Sequence, residues 1–200
     1  MTTAAQRAIS IFQENGGLLR THEALAAGIH ARTLYSLRDA GALEQSGRGL
    51  FRLSNLPPLS EPDLVAVAKR IPSAVVCLIS ALSLHELTSQ IPHVVQIALR
   101  PGSRTPRLDH PPLEVFRFSP SSLAAGVEER RVDGVTVRVF GAEKTLADIF
   151  KFRNRIGLEI AVESLRNYAR RKRRRFDLVL KFARICRVDA VMRPYLETVA

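Results

Sequence analysis

Residues 28–53 read GIHARTLYSLRDAGALEQSGRGLFRL, and the fold turns on how this stretch divides. Between Gly28 and Gly41, the segment Ala31–Ala40 sets Leu34 and Leu37 on one helical face and leaves Arg32, Thr33, Tyr35 and Ser36 to the others. Beyond Gly41, Ala42–Gln45 and Leu50–Leu53 flank the tip Ser46-Gly47-Arg48-Gly49. Two short apolar-bearing arms around a glycine-rich tip predict a β-hairpin.

Upstream, residues 2–14 place Ala5, Ala8, Ile9 and Phe12 at helical spacing, and Asn15-Gly16-Gly17 stops that helix. A second helix fits Thr21–Ala27, with Thr21 as its expected cap, Glu23 in the positive first turn and Gly28 as its end. Three helices followed by a hairpin predict a winged helix-turn-helix domain over residues 1–55.

Downstream, Asn55-Leu56-Pro57-Pro58-Leu59-Ser60 has the composition of a semi-rigid linker and predicts a second domain over residues 60–200. Helices are expected at Glu61–Ile71 and Ser80–Gln90, and strands at Val94–Leu99, Leu113–Phe118 and Val135–Phe140. Asp133-Gly134 marks a hairpin turn, after which Val135, Val137 and Val139 share one face. Two helical stripes close the chain: Leu158, Ala161, Val162, Leu165 and Tyr168, then Phe176, Val179, Leu180, Ala183 and Cys186. The predicted class is α+β, an N-terminal winged helix-turn-helix followed by a mixed α/β domain ending in a helical bundle segment.

The 200 residues are 46% hydrophobic, enough for a buried core, and carry a net charge of +11, which favours a polyanionic partner. That charge is unevenly placed. Met1–Leu56 holds six Lys/Arg against four Asp/Glu, whereas Lys144–Arg187 holds fourteen against four. Its densest part is Arg170, Arg171, Lys172, Arg173, Arg174 and Arg175, between the two helical stripes. One or two cations at a helix C-terminus are explained by the macrodipole, but six in succession repel one another and predict contact with phosphates. Cys77 and Cys186 each lie in an apolar run, as expected of buried thiols in a reducing, cytoplasmic setting. Neither a membrane span nor a secretory signal is expected.

In a helix-turn-helix the second helix of the motif enters the major groove, where Arg pairs with guanine and Ser or Thr reaches several base edges. Arg32, Thr33, Ser36 and, less centrally, Tyr35 are therefore the expected groove contacts. Tyr35 is also placed to pack partly beneath the wing. Arg48, between two glycines, is expected to reach a phosphate or the adjacent minor groove. The alternative for the same unit, nearly neutral overall, is a protein-docking winged helix with Arg32 simply solvated.

Catalytic patterns are sparse. His22, His30, His85, His93 and His110 show no ligand spacing among themselves or with the cysteines, so no metal or cofactor is expected. A nucleotidyltransferase needs paired acids after Gly-Ser, but Gly102-Ser103 is followed only by Asp109. A metal-dependent nuclease needs Lys where Glu114-Val115-Phe116 has Phe. A nucleic-acid-modifying enzyme targeted by a winged helix is nevertheless the second reading.

The run GAEKTLADIFKFRNRIGLEIAVESLRNYARRKRR at Gly141–Arg174, with VDAVMRPYLETV near the end, resembles the antitoxin and transcriptional-regulator component of abortive-infection type IV toxin–antitoxin systems. The pattern of Gly28-Ile29, Leu34, Leu37, Gly41, Leu43 and Gly49-Leu50-Phe51 is similar to the same family, as are Ser80–His85 and Gln90-Ile91-Pro92. The resemblance implies a non-enzymatic phage-defence autorepressor whose winged helix binds inverted repeats in promoter DNA. It further implies a second domain that counters a nucleotidyltransferase-like toxin without a lasting complex. Its most specific segment contains Glu143, Lys144 and Asp148, which serve either as in-helix ion pairing or as a charged edge read in toxin neutralisation, the pairing being favoured. Any longer basic arm before the first helix is expected to be missing.

Overall fold

The computed structural model describes residues 3–199 and divides into two compact units, the chain up to Arg70 together with Arg131–Val135, and the remainder. In the first unit α1 spans Thr3–Glu14 and turns Ala8 and Phe12 inward, as their spacing requires. β1 (Leu18–Arg20) leads directly into α2 (Thr21–Ala26), and α3 (Ala31–Asp39) follows. β2 (Leu43–Gly47) and β3 (Leu50–Leu53) form the hairpin, with Leu43 opposite Leu53 and Gln45 opposite Phe51. β1 pairs antiparallel with the far edge of β3, giving the order β1-β3-β2. Phe12, Leu19, Leu34, Leu37, Phe51 and Leu53 meet in one core, which makes the unit a winged helix.

Two local expectations change. Thr21 is not the cap of α2. Arg20 holds that position with its backbone N–H donating to Glu23 Oε2 at 2.7 Å, while the Thr21 hydroxyl donates to the Gly49 carbonyl at 3.3 Å. The strand β1 has no counterpart in the sequence reading, because three residues are too few to display alternation.

α4 (Pro62–Arg70) also falls in the first unit. Lys69 pairs with Glu23 at 3.3 Å, Arg20 Nη1 donates to the Lys69 carbonyl at 3.3 Å, and Arg70 Nη1 donates to the Arg48 carbonyl at 2.8 Å. The compact units thus part at Arg70, ten residues beyond the Pro-rich stretch. Arg131–Val135 joins the first unit through Asp133, which accepts from Ser60 Oγ at 3.0 Å and from the Glu61 N–H at 3.1 Å. Burial pushes the Asp133 carboxyl upward, but these hydrogen bonds together outweigh it and hold it below its usual range.

The second unit opens with β4 (Val75–Val76), α5 (Leu78–Leu84), β5 (Val95–Leu99), β6 (Leu113–Arg117), α6 (Pro120–Ala124) and the hairpin β7 (Val127–Val132) and β8 (Val135–Phe140). The sheet order is β6-β5-β4-β8-β7, with β4 antiparallel to β5 and parallel to β8. All five residues of β5 are buried, including Gln96, whose side chain accepts from the Ile79 N–H and donates to Glu114, each at 2.7 Å. Helix α5 starts and stops earlier than the expected Ser80–Gln90. The chain turns at Glu86, at φ 54°, and the His85 carbonyl there accepts from Arg171.

Five helices complete the unit: α7 (Ala142–Lys151), α8 (Arg153–Ile156), α9 (Leu158–Ala169), α10 (Phe176–Cys186) and α11 (Asp189–Glu197). α7 is the centre, with eight of its residues buried. Phe118, Phe140, Leu146, Phe150, Tyr168 and Val179 belong to the core around it. Among the described residues, no helix is long and apolar enough to cross a membrane.

Candidate nucleic-acid interface

Leu34 and Leu37 are buried and fix the rotation of α3 about its axis. The opposite face therefore exposes Arg32, Tyr35 and Ser36, with Thr33 half-buried beside them. His30 caps the helix: its Nδ1 accepts from the Arg32 N–H at 3.1 Å, which leaves the Arg32 side chain to project from the first turn. No sequence signal announced this, because His is not among the usual capping residues. Tyr35 is 42% exposed and meets Phe51 of β3 edge-on at 5.8 Å, while the Arg38 guanidinium lies 5.0 Å over its ring and pairs with Asp39 at 2.7 Å. Tyr35 is thus held by the base of the wing with one side in solvent.

The wing tip is anchored at Arg48 and Gly49 through their carbonyls. The Gly49 carbonyl accepts from the Thr21 N–H at 2.9 Å, and Arg70 takes the Arg48 carbonyl. Gly49 sits at φ 68°, with the Thr21 hydroxyl 3.2 Å from where a Cβ would project, so a side chain there would strain the turn. Arg48 is exposed, whereas Arg52 on the same hairpin is buried, paired with Glu44 at 2.7 Å and bonded to the Pro57 carbonyl. Arg32, Ser36, Tyr35 and Arg48 are all solvent-facing residues of one small winged helix. Sequence reasoning passed over Arg20, Arg52 and Arg70, whose roles depend on contacts far along the chain.

The six-residue basic run joins α9 to α10, and its members behave differently. Arg171 is half-buried and donates to the His85 carbonyl. Arg175 pairs with Asp177 at 2.8 Å, and its backbone N–H donates to Tyr168 Oη at 2.7 Å. Arg174 donates to the Ala169 carbonyl at 2.9 Å. Arg170, Lys172, Arg173, Arg174 and Arg175 are exposed. Three of the six cations, Arg171, Arg174 and Arg175, thus have partners within the unit, and of these Arg171 alone is withdrawn from solvent.

Glu143, Lys144 and Asp148 lie on α7. Lys144 and Asp148 are completely buried, with Nζ 2.5 and 2.6 Å from the two carboxylate oxygens. The ammonium also lies 4.2 Å from the Phe140 ring centre and 5.0 Å from that of Phe118, and Cys186 Sγ donates to Asp148 Oδ1 at 3.2 Å. Burial pushes the Asp148 carboxyl upward, and Lys144 pulls it back. A charged edge at these two residues is ruled out by their burial. Glu143 is half-exposed and accepts from Tyr168 Oη at 2.6 Å; burial, together with this bond, pushes the phenol up to about 12.

Of the two acids weighed for phosphoryl chemistry, Glu114 is committed to Arg155 at 2.5 Å and to Gln96. Among the described residues no group of three or more His, Cys, Asp or Glu is placed to hold a metal ion.

Fold and exposed face together define a winged helix-turn-helix joined to a basic α/β unit. Residues 6–54 match the family model described as transcriptional regulator, AbiEi antitoxin, and that segment is similar to the family. The match supports an antitoxin and transcriptional-regulator role, and proteins of that kind are in general non-enzymatic. Among solved structures, the crystal structure of the RV2827C protein from Mycobacterium tuberculosis is similar in fold, at a TM-score of 0.55 and 16% identity over 98% of this chain and 82% of that one. No curated protein matches the chain.

Proposed function

We propose that this protein is a DNA-binding autorepressor and antitoxin of a type IV toxin–antitoxin system. Residues 1–55 act as the reading domain, and the part beyond residue 60 counters a nucleotidyltransferase-like toxin without a lasting complex. The observation that carries the reading is the coincidence of the regulator-family match at 6–54 with a winged helix that exposes Arg32 and Ser36 on α3 and Arg48 on the wing. Arg32 and Ser36, flanked by Thr33 and Tyr35, contact base edges in the major groove, and Arg48 contacts the backbone or the adjacent minor groove. Lys172, Arg173 and Arg174 form the exposed centre of a sequence-blind phosphate clamp, from which Arg171 is drawn away by the His85 carbonyl. Glu143, Lys144 and Asp148 act structurally, by holding α7 in the core.

The experiment is fluorescence anisotropy of the full chain with its own promoter region and with scrambled duplex of equal length, across a salt series. Preferred binding to inverted repeats in the promoter supports the reading. Equal binding to both duplexes would remove the autorepressor half, and failure to rescue growth when a neighbouring toxin is expressed would remove the antitoxin half.

A further inference from the structure

Helix α9 buries Ile160, Ala161, Ser164, Leu165 and Tyr168 and turns its opposite face to solvent. On that face Glu159, Glu163, Arg166 and Arg170 follow at spacings of four, three and four, one straight stripe on an α-helix. Arg170 caps α9 with helical backbone angles, φ −78° and ψ −9°, so the stripe runs unbroken to it. Leu158, 40% exposed, and the half-buried Val162 flank the stripe beside a hollow of about 640 Å3.

The charges on this stripe are ordered, both acids before both arginines. Glu159 and Arg170 lie equally far from the midpoint between Ser164 and Leu165, and so do Glu163 and Arg166. A two-fold axis through that midpoint, perpendicular to the helix, places each acid opposite an arginine of an antiparallel copy. Glu159, Arg166 and Arg170 make no ion pair with another described residue. Glu163 is held by the Ser89 N–H at 2.9 Å, Ser89 Oγ at 3.0 Å and Thr88 Oγ1 at 3.4 Å, and its carboxylate retains capacity for one more donor.

We propose that the outer face of α9 is a self-association surface on which a second copy of this chain seats its own α9 antiparallel. Glu159 of one copy then faces Arg170 of the other, Glu163 faces Arg166, and Leu158 and Val162 supply apolar area at the flank. The register is set by charge: a parallel pairing would bring acid against acid and arginine against arginine. One helix face places the interface at the small end of specific interfaces, so the dimer is weak and salt-sensitive. The proposal does not depend on DNA binding.

Sedimentation equilibrium of the full chain at low and high salt tests it, using E159R, R170E, an equimolar mixture of the two, and the E159R/R170E double variant. The wild type is expected to dimerise reversibly, with each single reversal raising the dissociation constant about ten-fold or more, because like charges then meet at both ends of the interface. In the mixture, the arginine introduced by E159R meets the glutamate introduced by R170E, and the remaining native Arg170 meets the remaining native Glu159. The mixture and the double variant are therefore expected to return to within about three-fold of the wild type, a recovery that only folded helices can show. A wild type that stays monomeric, single reversals without effect, or a mixture that does not recover would each overturn the proposal.

Discussion

Lys144 Nζ lies 2.5 Å from Asp148 Oδ1, one turn along α7, and neither side chain touches solvent. An exposed i,i+4 pair on a helix contributes about 0.2–0.5 kcal/mol. This pair is different in kind, since either charge left alone in the core among Phe118 and Phe140 would be uncompensated. Asp148→Ala is expected to cost about 3–5 kcal/mol of stability, and Lys144→Met with Asp148→Leu to recover more than half of that. Urea unfolding followed by circular dichroism measures both, and equal losses in the single and double variants would contradict the pairing.

On the first unit, Arg32→Ala is expected to weaken binding to the promoter repeat by about 1–3 kcal/mol while leaving binding to scrambled duplex almost unchanged. The helix start should survive, because the His30 cap holds the Arg32 backbone N–H and not its side chain. Arg48→Ala is expected to weaken the promoter complex as well. Anisotropy on paired duplexes distinguishes these outcomes, and unchanged promoter binding in both variants would remove the assigned face.

Replacing Lys172, Arg173 and Arg174 by Ala should act differently. All sequences are expected to bind more weakly and to similar degree, and the slope of log K against log salt should flatten by about two to three. Arg171→Ala is expected instead to lower stability, because its guanidinium serves the His85 carbonyl at the end of α5. Salt titrations and thermal melts on the two variants separate the roles.

His85 is buried with Nε2 2.7 Å from the Phe140 carbonyl, and burial pushes its pKa below the ordinary value. The folded chain therefore keeps this ring neutral at a pH where the unfolded chain already binds a proton. Its contribution is full above about 6.5, the unfolded value, and is lost as pH falls from there through the depressed folded value. His85→Gln, which can still donate to the Phe140 carbonyl, is expected to flatten the fall in stability below about pH 6.5. Chemical denaturation at stepped pH checks this, and an unchanged pH profile would assign the acid sensitivity elsewhere.

Much of the first unit was legible because its patterns are local. Leu34 and Leu37 at helical spacing and the glycine-bounded tip at Arg48 place α3 and the wing without any distant contact. The three residues of β1 were invisible, since a strand that short is stabilised by its partner β3 and not by its own alternation. That α4 belongs with the first compact unit was not legible for a related reason. Pro57-Pro58 marks an irregular stretch, but where a compact unit ends depends on what α4 bonds to, and Lys69 and Arg70 reach back to Glu23 and Arg48.

By itself the sequence determined the α+β class, the winged-helix order, the buried placement of Cys77 and Cys186, and the concentration of positive charge late in the chain. Periodicity, turn chemistry and composition are properties of neighbouring residues, so they survive without a third dimension. Only the tertiary structure decided which charges are available to a partner. It took Lys144 and Asp148 into the core and tied Arg52 and Arg171 to internal partners. Solvation and pairing depend on residues dozens of positions away, as with Arg171 and His85, and no local pattern records that distance.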